Sequence, residues 1–138
     1  MKRAYLNPKL LPDWSQMFSQ VVVTEAHGLR FIHVSGQVAV NASKEMVGAG
    51  SLKHQTDQAL LNLKTAVESG GASMSDVMKL TIYVVDYRYE QAEAISSALR
   101  TFFENDKLPA LSLIGVAGLA MEHFLIEIDA EVVAVTGK

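Results

Sequence analysis

The sequence predicts an α+β domain in which one mixed sheet carries two helices on one face. Three observations predict it. Residues 51–68 and 88–105 repeat apolar side chains at steps of three and four, as amphipathic helices do. Runs rich in β-branched residues flank them, giving the order strand, strand, helix, strand, helix, strand, strand. Residues 124–132 alternate: Phe124, Ile126, Ile128, Ala130 and Val132 point one way, and Leu125, Glu127, Asp129 and Glu131 the other, which describes a half-buried strand with an acidic face.

Residues 5–16 hold two of the three prolines and read as an irregular arm. Residues 18–25 are β-rich, Gly28 turns the chain, and residues 29–40 form a second strand, so the two predict a hairpin. In that second strand Phe31, His33, Ser35 and Gln37 share one face and Ile32, Val34 and Val38 the other, with Gly36 interrupting the packing. Residues 41–50 read as a loop with a short strand around Met46. Ser51 is the N-cap of the first helix, and Gly70 with Gly71 stops it. Residues 77–85 place Met78, Leu80, Ile82 and Val84 on one face and Lys79, Thr81, Tyr83 and Val85 on the other. Residues 111–119 are small and branched, which predicts a strand buried on both faces. The side of the sheet away from the helices would then carry Phe31, Tyr83, Val85, Leu111 and Leu113. That face is too apolar for water, so it is expected to be buried against other copies of the chain.

With 138 residues and 49% apolar content the chain fits one domain with a proper core. A net charge of −3, a pI near 5.8 and scattered Lys and Arg disfavour nucleic acid as partner. No run approaches the roughly 18 uncharged apolar residues of a membrane span, and the N-terminus lacks the apolar core of a signal peptide. The absence of cysteine excludes disulfides and thiolate chemistry and suits a cytoplasmic protein. The four histidines have no metal-ligand spacing, so no metal is expected, and no glycine-rich loop opens a helix to hold phosphate. No cofactor is implied. His33 and His123 are further acid–base candidates by side-chain chemistry alone.

Residues 109–135 also carry a resemblance. Pro109, Ala110, Leu111 and Ser112, followed by Ile126, Glu127 and Ile128, resemble the C-terminal part of the RidA/YjgF family, the reactive-intermediate deaminases, whose members have a Pro-Ala-Arg-Ser-like start and a hydrophobic-Glu-hydrophobic close. Ser35, Gly36 and Gln37 resemble the family's Ser-Gly-Gln strand. Gln55, Thr56, Ala59, Leu60, Asn62 and Leu63 resemble its first helix, and Gly71, Ala72, Ser73, Asp76, Val77, Lys79 and Thr81 its helix-to-strand join. The resemblance implies a chorismate-mutase-like fold assembled as a homotrimer, with small-molecule clefts between subunits. It implies Glu127 as the group that positions a water, Ser35 as its assistant, and Phe18, Gly36, Tyr83, Leu111 and Ser112 as ligand contacts.

Two departures bear on function. Leu111 stands where active members carry the arginine that binds the substrate carboxylate, and Phe18 stands where they carry a tyrosine. Leucine cannot make the bidentate contact of a guanidinium, and loss of such a pair removes about 2–5 kcal/mol. One extra residue also separates the two strands near Glu122 and His123. Two functions stay open: hydrolysis of a small imine, enamine or related C=N compound with Glu127 and Ser35, or a non-catalytic trimer that binds a small metabolite on the same scaffold. Ribonuclease activity is disfavoured by the acidic charge.

Overall fold

A computed structural model of the chain describes residues 1–137. Strands β1 (Lys2–Leu6), β2 (Val21–Ala26), β3 (Leu29–Gln37), β4 (Val77–Val85), β5 (Ala110–Val116) and β6 (Ile126–Val135) form one sheet in the order β1-β2-β3-β6-β4-β5. All neighbours are antiparallel except β4 and β5, which helix α2 (Ala92–Phe102) joins by a crossover, while α1 (Leu52–Ser69) links β3 to β4. Among the described residues, no helix is long and apolar enough to cross a membrane.

The local chemistry explains most boundaries. The β2–β3 hairpin closes through His27 and Gly28, both at positive φ (54° and 77°), the geometry of a type I′ turn whose twist matches the strands. Helix α1 begins where Ser51 accepts a hydrogen bond from the His54 N–H. It ends in a Schellman arrangement: Gly71, at φ 87°, donates to Glu68 O and Ala72 donates to Val67 O. Helix α2 is shorter than its periodicity, because Phe103 turns to extended backbone and tucks its ring into the core.

The core lies between the two helices and one face of the sheet. Ile32, Leu60, Leu63, Leu80, Ile82, Ile95, Ile126 and Ile128 are fully buried there, each worth about 1.5–3 kcal/mol of transfer from water.

Six sequence expectations are corrected. The arm of residues 5–16 is irregular only after Leu6: Tyr5 and Leu6 belong to strand β1, paired to β2 from Lys2↔Glu25 to Leu6↔Val21, and as an exposed edge this strand has no buried face to write an apolar pattern. In β3 the register slips between Val34 and Gln37, so Gln37 leaves the Phe31 face, pairs with Ile128 and is buried at 3% exposure. A second slip between Val77 and Lys79 puts Val77 in the core and Met78 in solvent. Finally, β5 is an edge strand with much of its surface exposed, not a strand buried on both faces. Its register places Leu111 beside Leu80 and Leu113 beside Ile82, on the helix face, whereas Ser112 and Ile114 lie with Thr81 and Tyr83 on the open face. Leu111 and Leu113 therefore do not belong to the open face. The strand around Met46 is reduced to one bridge with Val40.

Buried Asn62 on α1 braces the chain just after β3, donating to Val38 O at 2.9 Å and Val40 O at 2.8 Å. Replacing it by leucine leaves two carbonyls without their partner. Asn62→Leu is expected to cost about 1–3 kcal/mol, read as a lower urea midpoint at unchanged slope.

Candidate active site

The alternation of β6 puts Ile126, Ile128, Ala130 and Val132 into the core and turns Glu127, Asp129 and Glu131 onto the open face. The pairing then builds rows across that face. Glu127 lies beside Tyr83, with Ile114 beyond it; Asp129 lies beside Thr81, with Ser112 beyond it. On the other side, Glu131 pairs with His33, whose Nδ1 contacts its carboxylate.

The irregular part of β3 covers Glu127. A Cβ built on Gly36 would lie 2.7 Å from Glu127 Cγ and closer still to the carboxylate, so only glycine leaves this side chain its place. Ser35 beside it donates its hydroxyl to Ser19 O at 2.6 Å, and its N–H donates to Gln20 O at 2.9 Å. Its proton is thus committed, and the oxygen faces any ligand as an acceptor.

Two buried glutamines hold this bulge. Gln37 Nε2 donates to Gln20 Oε1 at 2.8 Å and to Ser35 O at 3.0 Å, and Gln20 Nε2 donates to Pro12 O at 3.1 Å. They fix the segment that carries Phe18, whose ring is partly exposed, to the strand that carries Ser35 and Gly36. Sequence reasoning missed this pair because Gln37 looked like an open-face residue; the Ser-Gly pair before it was the one signal of a bulge.

The electrostatics set Glu127 apart. Its pKa is raised, first by burial and then by the nearby Asp129 charge. Asp129 is also raised by burial, against the lowering effect of hydrogen bonds from Tyr83 and Thr81 and of the Lys79 charge. Tyr83, whose hydroxyl lies 3.4 Å from Asp129 Oδ2, has its pKa raised chiefly by that carboxylate and then by burial. A half-buried carboxylate with a raised pKa accepts a proton more readily than an exposed one and can hold a water for attack. Among the described residues, no His, Cys, Asp and Glu side chains are grouped to hold a metal ion.

The structure thus brings Glu127, Gly36, Ser35 and Tyr83 together, with Ser112 one row away and Phe18 tied in through Ser19 and Gln20. Leu111 is on the opposite side of the sheet.

A single sheet backed by two helices, with a shielded carboxylate on its uncovered face, defines the class of protein. The chain belongs to the endoribonuclease L-PSP (RidA/YjgF) family, whose model matches residues 11–135. It is 33% identical over 102 residues to a 2-iminobutanoate/2-iminopropanoate deaminase of Dermatophagoides farinae, covering 74% of this chain and 77% of that one. A protein of the same name from Escherichia coli K12 is 32% identical over 106 residues, covering 75% and 78%. Among solved structures, a Rid-family protein of unknown function from Yersinia pestis superposes with a TM-score of 0.72 at 38% identity, covering 96% and 98%.

The raised pKa has a consequence for stability. The folded state favours the neutral form of Glu127, so its contribution is fully present below the ordinary value of 4.5 and is lost as pH rises through the higher folded value. Asp129, Tyr83, Thr81 and Lys79 remain in a Glu127→Gln variant, so the difference between variant and parent reports Glu127 together with its coupling to Asp129 and Tyr83. Glu127→Gln is expected to raise the urea midpoint at neutral and mildly alkaline pH, with the gain vanishing below 4.5.

Proposed function

We propose that this chain is a RidA-like hydrolase of a small imine or enamine, acting at a cleft between copies of the chain without the usual carboxylate-binding arginine. The observation that carries the proposal is the Glu127 carboxylate, shielded by Gly36 and raised in pKa, in a family with relatives named 2-imino-acid deaminases. In the reaction, water adds its oxygen to the C=N carbon as Glu127 takes its proton. Glu127 passes that proton to the nitrogen, the hydroxyl of the resulting carbinolamine gives up its own proton as the C–N bond breaks, and ammonia and a carbonyl compound leave. The iminium is already electrophilic, so placement of the water and of the substrate supplies most of the rate. Ser35 serves as an acceptor for a substrate N–H, and Tyr83 and Phe18 border the site.

Two features support assembly of copies, with the homotrimer as the form proposed. Phe31, Ile114 and Val135 leave large apolar surfaces exposed. In addition, Leu111 and Glu127 lie on opposite faces of one sheet, so a ligand that touches both residue types must sit between two chains. The row of Glu127, Asp129 and Glu131 repels phosphates, which disfavours RNA as substrate. A second reading, a trimer that only binds a small metabolite, is favoured by Leu111 and by Phe18 in place of a tyrosine.

Ammonia release from imines generated in situ by amine and amino-acid oxidases separates the two. Turnover is expected, and Glu127→Ala is expected to lower it by about 10²–10⁴-fold with the assembly intact; equal rates above background would refute the Glu127 role, and rates no higher than without protein would leave the binding reading. Gly36→Ala is expected to fold, because the flexible Glu127 side chain can swing aside, yet to lose turnover to a similar extent. Sedimentation at micromolar concentration is expected to show three chains, and a monomer would refute the composite cleft.

A further inference from the structure

On the helix face, β5 and α2 enclose a cavity of about 280 Å³ walled by Leu80, Ile95, Leu99, Leu108, Leu111 and Leu113. Among the described residues, Ser96 supplies the one polar side chain of its lining. The deeper walls, Leu80, Ile95 and Leu99, are buried, whereas Leu108 and Leu111 stand half exposed at the mouth. An opening walled in this way by leucine and isoleucine favours apolar matter over water.

The guanidinium that α2 carries already has partners. Arg100, one turn beyond Ser96 on α2, donates to Ser96 Oγ at 2.6 Å and to Glu93 Oε1 at 2.9 Å. Its charge is matched by the exposed Glu93, and these contacts hold the guanidinium along the outer face of α2. The lining itself holds no cationic side chain, so a carboxylate that entered it would shed its water against leucine side chains.

We infer that this cavity is the specificity pocket of the proposed hydrolase and that it takes a branched-alkyl or phenyl substituent of a neutral imine, one that carries no carboxylate beside the C=N group. The inference rests on the hydrolase reading for the chemistry and on the cavity alone for the substituent. A void of roughly 150 Å³ lined by Leu, Ile and Phe accommodates benzene, so a phenyl group fits with room for the linking carbon. Leu111 at the rim becomes the selecting residue: it adds apolar contact and withholds the ion pair that would favour an acid.

The test uses phenylacetone and phenylpyruvate, ketones that differ in a methyl group against a carboxylate, titrated into methyl-labelled full-length protein. Phenylacetone is expected to shift the methyl resonances of Leu99, Leu111 and Leu113 and to bind at least about tenfold more tightly than phenylpyruvate. Leu111→Arg is expected to reverse that order. Equal or tighter binding of phenylpyruvate by the parent overturns the inference, and loss of that binding in Arg100→Ala would assign the anchor to Arg100. Absence of shifts at those leucines with either ketone also overturns it, as when a neighbouring chain fills the cavity. Ammonia release is measured separately, with imines made by an amine oxidase. Correct binding without turnover keeps the pocket and removes the hydrolase; turnover confined to 2-imino acids keeps the hydrolase and removes the pocket.

Discussion

The pairing of β6 on both sides constrains the rest of the molecule. Held between β3 and β4, the strand cannot slip by one residue without driving Glu127, Asp129 and Glu131 into a core of isoleucine and leucine and lifting Ile126 and Ile128 into water. The same alternation that closes the core therefore aims the carboxylates. Both helices can pack only on the aliphatic side, which leaves the acidic side for ligand or for other copies of the chain.

Irregularity in the neighbours tunes that side. The slip at Ser35 and Gly36 removes a side chain where Glu127 needs room and brings the Gly36 backbone over the carboxylate, shielding it from water. The buried Gln37 and Gln20 amides keep the slip in place, Gln37 Nε2 bonding Gln20 Oε1 and Ser35 O, and Gln20 Nε2 bonding Pro12 O. A carboxylate whose neutral form is favoured by folding is a local cost to stability at neutral pH, and such costs gather at sites of function.

The edge strand β5 faces two environments at once. Leu111 and Leu113 look into an apolar cavity, while Ser112 and Ile114 look across the open face toward Asp129 and Glu127. A sheet one layer thick separates the two, so their chemistry can combine only when a second chain brings its own copy of one face against the other. Under the hydrolase reading proposed above, assembly of copies would bring the two together as well as cover apolar surface.

Much of this was legible in the chain. The helices, the hairpin turn and the β6 alternation follow from periodicity and capping, and Glu127 was placed by that alternation together with its family motif. Local sequence carries such features because they depend on neighbours within a few residues. The exposed strand β1, the two register slips, the face chosen by Leu111 and the Gln20–Gln37 pair were decided only by the tertiary structure. An edge strand needs no buried pattern, a slip inverts every side chain beyond it, and the face of β5 depends on its pairing with β4, some thirty residues away in sequence. The sequence by itself determined which strand bears the carboxylate; long-range pairing decided what surrounds it and which face Leu111 serves.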